Sequence, residues 1–240
     1  MQRIRSVIFI IGWYLNGLLV LPVFGFIGLF GNLKFKRKLY PYWSKFSLWW
    51  LKVSCGVTYK VDGLEHFASL KLQPSLVLCK HQSTFETFFM SAMLPQHAYV
   101  LKRELFLIPF FGWMLWSLRS IGINRSEGSK AFKYMIRKSK EHLAEGTSIM
   151  MFPEGTRVKP GDASKYKMGA FALASILKIP ILPISHNAGL AWGRGKFLKN
   201  AGTIHIVIGA PILTQGIKPD ALMLQVKTWI EAHSDKDLAP

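Results

Sequence analysis

Acidic residues are scarce. Thirteen Asp and Glu face 31 Lys and Arg in 240 residues, a formal charge of +18. So basic a chain needs an anionic partner, either nucleic acid or a membrane surface with its phosphates. No zinc finger, helix-turn-helix or aromatic RNA-binding signature occurs, which sets nucleic acid aside. Cysteine is nearly absent. Cys55 and Cys79 are the only two, and their separation fits no metal or redox motif, which leaves two reduced, partly buried thiols in a cytosolic domain. No pair of histidines has H-E-x-x-H spacing, so no metal site is expected. A Walker loop is missing; "GLAWGRGK" lacks its spacing and its final Ser or Thr. A G-x-S-x-G elbow is missing as well, which argues against a serine acyl-enzyme. Half the chain is hydrophobic and 18% is charged, too polar for a polytopic membrane protein.

Charge of either sign is absent from Ser6 through Leu33, "SVIFIIGWYLNGLLVLPVFGFIGLFGNL". A continuous helix of that length would exceed the roughly 30 Å hydrocarbon core of a bilayer. Pro22, Asn16 and several glycines are expected to kink it or turn it back. Arg3 and Arg5 precede the run, and Lys34, Lys36, Arg37 and Lys38 follow it. The richer basic flank lies on the side of the remaining chain, which would put that domain in the cytosol, and basic residues at both ends fit equally well a segment that dips into one leaflet of the membrane. Next comes "YPYWSKFSLWWLKV", where Tyr42, Trp43, Trp49 and Trp50 mix with Lys45 and Lys52. That mixture suits a membrane interface, with a core helix of the domain as the alternative. Residues 1–55 are therefore read as a helical membrane-anchoring segment.

Residues 56–240 read as one α/β domain with a mostly parallel sheet flanked by helices. Seven apolar runs are predicted strands: "VTYKV" from Val57, "SLVLC" from Ser75, "AYVL" from Ala98, "GIN" from Gly122, "SIMMF" from Ser148, "PILPIS" from Pro180 and "IHIVIG" from Ile204. Phe132, Met135, Ile136 and Leu143 share a helical face that stops near Gly146. "GAFALASILK" is a second helix, small and apolar enough to pack on a sheet. A third starts at Pro219 and turns Leu222, Val226, Trp229 and Ile230 inward.

"KHQSTFETFF" then places His81 just beyond a strand, where parallel sheets bind their ligands. Glu86 follows five residues later, and on one regular helix the two would point about 140° apart. They can meet if His81 lies in an entry loop and Glu86 in the first helical turn, with Ser83 or Thr84 as cap. Glu86 then fixes the imidazole tautomer and leaves the other ring nitrogen to take a proton. "MMFPEGTR" ends a second strand. Gly155 permits close backbone approach, Thr156 adds a hydroxyl and Arg157 a forked anion donor. "GINRS" places Arg125 at a third strand end, and in "IPILPI" Pro183 is expected to close or bend a strand.

In this order, "HQSTFE", "GINR", "FPEGTR" and "ILPI" resemble the four blocks of the glycerophosphate acyltransferase superfamily, and the bacterial 1-acyl-glycerol-3-phosphate acyltransferases within it. "KRELFLIPFFGWML" and "KMGAF" look like the sequence between those blocks, so the likeness covers roughly residues 55 to 215. Glu86 stands where the family more often has aspartate. The resemblance implies an enzyme in which His81, oriented by Glu86, deprotonates the free hydroxyl of a lysophospholipid. The oxygen then attacks the thioester of acyl-carrier protein or acyl-coenzyme A, giving phosphatidic acid. It implies no cofactor beyond that co-substrate. Arg125 and Arg157, with Glu154, Gly155 and Thr156 shaping the turn, would hold the acceptor, and Lys102 and Lys167 are weaker candidates. The alternatives are another acceptor, such as glycerol-3-phosphate, a lyso-amino-acid lipid or a different lysophospholipid, and a non-catalytic lipid-binding protein of the same fold. The motif loops offer no obvious room for a whole lipid, so the N-terminal segment is expected to guide the acyl chain within the leaflet.

Overall fold

The computed structural model describes residues 1–162 and 165–234. Seven strands form one sheet: β1 (Val57–Asp62), β2 (Leu76–Cys79), β3 (His97–Lys102), β4 (Ile121–Ile123), β5 (Ser148–Met151), β6 (Ile181–His186) and β7 (Gly202–Ile208). Their order is β1-β7-β6-β2-β5-β3-β4. Every pairing is parallel except β6 with β7. Each predicted strand is present, within a residue or two at its ends. The carboxyl ends of β2, β3, β4, β5 and β6 therefore share one edge, and β1 and β7 run the other way.

The central strand β2 is buried on both faces. Leu76 and Leu78 point into one apolar cluster, Val77 and Cys79 into another. The first layer is closed by α6 (Ser129–Ala144), α7 (Met168–Leu177) and α9 (Pro219–Ala232). There Leu222, Val226 and Ile230 are fully buried and Trp229 packs beside them. Gly146, at φ +72°, ends the turn after α6 in the left-handed conformation that glycine tolerates. The second layer is built from α1 (Gln2–Phe30), α2 (Leu33–Cys55), α4 (Phe85–Met93) and α5 (Phe111–Ser117). Two single turns, α3 (Ser69–Leu72) and α8 (Ala188–Ala191), complete the α-helices among the described residues.

Pro183 does not close β6; the strand runs on to His186. The ladder with β7 spans Ile184 to His186, and Ile181 bridges Ile212 instead. Pro183 falls between these contacts, so its missing N–H costs no ladder bond, and its carbonyl accepts from Gly209 N–H at 2.9 Å.

The uncharged run turns back, but near its C-terminal end and not at Pro22 or Asn16. α1 is one helix of 29 residues with Pro22 inside it, about 44 Å at 1.5 Å per residue. Its chain reverses only at Gly31–Asn32. There Asn32 Oδ1 accepts Phe35 N–H, and Lys36 Nζ donates to the Gly28 carbonyl at 2.7 Å. Asn16 is not a break, because its Oδ1 accepts Trp43 Nε1–H at 2.7 Å. Gly25 marks a close approach. A Cβ there would lie 3.0 Å from the Phe110 backbone, so a larger residue would push the start of α5 away from α1 by a few tenths of an ångström. At its other end α1 is tied to the body by Lys199 N–H, which donates to Ser6 Oγ at 2.9 Å. The helix thus lies along the α/β body. Its outer side exposes Ile8, Ile11, Leu15 and Leu19. By length and composition it could cross a membrane.

The Trp-rich stretch is split between core and surface. In α2, Trp43 is buried, and half-buried Trp50 donates Nε1–H to the Phe9 carbonyl at 3.0 Å, whereas Tyr42 and Trp49 face outward.

Candidate active site

The sequence "STFE" forms a turn like a capping box just before α4, although Thr84 at the N-cap makes no side-chain cap bond. Ser83 Oγ accepts Phe85 N–H at 3.0 Å, and Glu86 Oε1 accepts Ser83 N–H at 2.7 Å. Glu86 Oε1 also takes Gln82 N–H at 2.9 Å and His81 Nδ1 at 2.8 Å. This turn brings the Glu86 carboxylate back over the loop, and so a pair five residues apart meets without sharing a helix face. Burial alone would push the Glu86 pKa up. The facing His186, the His81 hydrogen bond and the Ser83 amide together outweigh it and hold the pKa below its ordinary value. An ionised Glu86 accepts, so Nδ1 of His81 carries the proton and Nε2 keeps its lone pair. The ring stacks on Phe152, centroids 3.8 Å apart, which fixes its remaining freedom.

His81 opens onto a cavity of about 1170 Å³ bounded by α1, α2, α4 and α5 and by the carboxyl edge of the sheet. That exceeds the roughly 300–1000 Å³ usual for small-molecule sites. The space expected to be missing is therefore present. The motif loops close only its end near His81; much of the remaining wall comes from the helical hairpin, through Trp13, Leu18, Leu21 and Trp43. Arg125, Gly155, Thr156 and Arg157 line the end near His81, and no described Asp or Glu lines any part of the cavity.

Gly155, at φ +70°, makes the turn after β5 left-handed, and Arg125 Nη1 lies 3.0 Å from where a Cβ would sit. Arg125 Nη1 donates to the Gly155 carbonyl at 2.8 Å, and Val158 N–H to the His81 carbonyl at 2.8 Å. The arginine turn and the histidine loop are thus held as one unit. Residues 58–187, more than half the chain, match the family model for acyltransferases. The chain belongs to the acyltransferase family.

Relatives agree. A 1-acyl-sn-glycerol-3-phosphate acyltransferase of Pseudomonas aeruginosa is 40% identical over 191 residues, covering 78% of this chain and 73% of that protein. A chloroplastic 1-acyl-sn-glycerol-3-phosphate acyltransferase of Arabidopsis thaliana is 27% identical over 98% of this chain and 65% of its own length. The crystal structure of the 1-acyl-sn-glycerophosphate acyltransferase of Thermotoga maritima superposes with a TM-score of 0.80. It is 21% identical, covering 97% of this chain and 95% of that one, and shares the fold.

In this acyltransferase not every residue singled out from the sequence faces the cavity. Lys102 lines it, but Lys167 does not; Lys167 is exposed and gives its N–H to the Pro153 carbonyl. Glu154 turns inward, buried, and its Oε1 accepts His81 N–H at 3.3 Å. Desolvation raises its pKa to about 7. It supports the histidine loop from behind and does not reach the cavity.

Two residues near the site were not read from the sequence. His186 is buried at the end of β6, its Nε2 2.8 Å from the Lys80 carbonyl and 3.9 Å from Glu86 Oε2. The strand-end rule that picked out His81 applies to it equally. Arg194 lines the cavity from the β6–β7 connection; no local pattern marks it.

Proposed function

We propose that this acyltransferase moves a fatty acyl group from acyl-carrier protein or acyl-coenzyme A to the free hydroxyl of 1-acyl-glycerol-3-phosphate, giving phosphatidic acid. The observation that carries the reading is the 2.8 Å pair of His81 Nδ1 and Glu86 Oε1 at the arginine-lined end of a large apolar cavity. His81 Nε2 takes the hydroxyl proton as the oxygen attacks the thioester carbonyl. The tetrahedral intermediate collapses, the C–S bond breaks, and the thiolate recovers that proton from the imidazolium. No acyl-enzyme is needed. Arg125 and Arg157 hold the acceptor phosphate as bidentate donors.

The outward apolar side of α1 rests in the cytosolic leaflet of the cytoplasmic membrane. Contact with the α/β body at both ends of α1 favours lying in one leaflet over crossing the bilayer. The acceptor then reaches the cavity without leaving its membrane. A purified-protein assay in detergent, with several lysolipid acceptors and both thioester donors, tests the reading. Transfer to 1-acyl-glycerol-3-phosphate well above the other acceptors is expected. No transfer to it from either donor would overturn the reading.

A further inference from the structure

Arg194 approaches the turn of Gly155, Thr156 and Arg157 from the β6–β7 side, and Arg125 approaches it from the β4 side. Arg194 Nη1 donates to Thr156 Oγ1 at 3.3 Å and to the Arg157 carbonyl at 3.2 Å. Arg125 Nη1 donates to the neighbouring Gly155 carbonyl at 2.8 Å. Each guanidinium carries five N–H donors, so each retains several for a ligand.

The segment bearing Arg194 is locked to the catalytic loop. Gly193, the preceding residue, forms an antiparallel bridge with Ser83, and Gly189 N–H donates to Gln82 Oε1 at 3.4 Å. Arg194 is therefore placed by the same backbone that places His81. Among the described residues, neither Arg125, Arg157 nor Arg194 forms an ion pair with a carboxylate. Arg157 Nε is buried with no partner at all. Three guanidinium groups without an acid to neutralise them, around one turn, form a site for a multiply charged anion.

We propose that Arg194 completes a three-arginine clamp and makes the acceptor site selective for a phosphate monoester over a phosphodiester headgroup. A monoester has three terminal oxygens and nearly two charges; a diester has two and one. Two arginine forks can satisfy a diester, and the third terminal oxygen gives Arg194 its own partner. This inference rests on the acceptor reading above.

The test uses full-length protein in detergent, with wild type, Arg194→Gln and Arg194→Lys. Acceptor and donor KM are measured, together with the inhibition constants of inorganic phosphate and dimethyl phosphate against the acceptor. A thermal shift with inorganic phosphate reports anion binding without any turnover. Losing a charge-assisted fork in Arg194→Gln should raise acceptor KM and the phosphate inhibition constant about tenfold or more. Donor KM and dimethyl phosphate inhibition should barely move. Arg194→Lys should recover part of the loss, and it carries the test if the glutamine variant does not fold. Unchanged constants, equal weakening toward monoester and diester, or a defect confined to donor KM would each overturn the proposal. A wild type stabilised by phosphate yet inactive on 1-acyl-glycerol-3-phosphate would instead defeat the acceptor reading and leave the clamp standing.

Discussion

Glu86 Oε1 gathers three donors at once: the His81 ring at 2.8 Å, Gln82 N–H at 2.9 Å and Ser83 N–H at 2.7 Å. One carboxylate oxygen therefore starts a helix and orients the base, and any change to it affects both. Its other oxygen is buried without a hydrogen bond and faces His186.

His81→Ala should lower turnover by about 10²–10⁴, the usual contribution of a positioned general base, with thermal unfolding unchanged. Glu86→Gln should fall nearly as far, because an amide keeps the capping contacts but cannot stabilise an imidazolium. Glu86→Asp should be milder. Near-native kcat in a folded His81→Ala protein would remove His81 from the chemistry.

Arg125→Lys and Arg157→Lys should each raise the KM of the acceptor and leave that of the thioester alone. A point charge cannot replace a planar fork, and Arg125 also braces Gly155. Steady-state kinetics with each substrate varied in turn separates the two sides. A defect seen only in thioester KM would move these residues to the donor.

Glu154 predicts a pH dependence of stability. Its carboxyl is buried, and its pKa is raised to about 7, against roughly 4.3 in an unfolded chain. Between those values the folded protein binds the extra proton. The stabilisation is complete below the unfolded pKa and is lost as pH rises through 7. Glu154→Gln cannot ionise, and its side-chain oxygen can still accept His81 N–H. The variant should match wild type near pH 5 and exceed it at pH 8 by on the order of 2–3 kcal/mol. Chemical denaturation at both pH values measures this, and a difference that does not grow with pH would refute it.

The two sides of α1 should separate in mutagenesis. Leu15 and Leu19 face outward, whereas Phe9 is fully buried against Trp192, ring centroids 5.0 Å apart. Leu15→Asp with Leu19→Asp should release the protein from vesicles, keep its melting temperature and depress activity on long-chain acceptors more than on short, soluble ones. Phe9→Ala should cost about 3–5 kcal/mol of stability and leave vesicle binding intact in the folded fraction. High salt should not strip wild type from vesicles, since apolar burial is not screened. Release of wild type by salt alone would mean charge, not burial, holds it there.

Much of this was legible in the linear chain. β2, β5 and β6 are short apolar runs bounded by turn residues, and α9 announces itself by Pro219 followed by Leu222, Val226 and Ile230 at helical spacing. "HQSTFE" and "FPEGTR" betray the site because a turn like a capping box and a glycine turn are local: their hydrogen bonds run between residues close in sequence. Tertiary structure decided the rest. Pro22 and Asn16 look like breaks until α2 packs along the helix and supplies Trp43 to Asn16. Arg194 reaches the catalytic turn only because β7 runs antiparallel to β6 and the chain between them folds back onto Ser83. The cavity belongs to no single segment, since α1, α2, α4 and α5 each contribute one wall. Local hydrogen bonds and hydrophobic period are written in consecutive residues. Which apolar faces meet, and what space they leave between them, is settled only when distant segments pack.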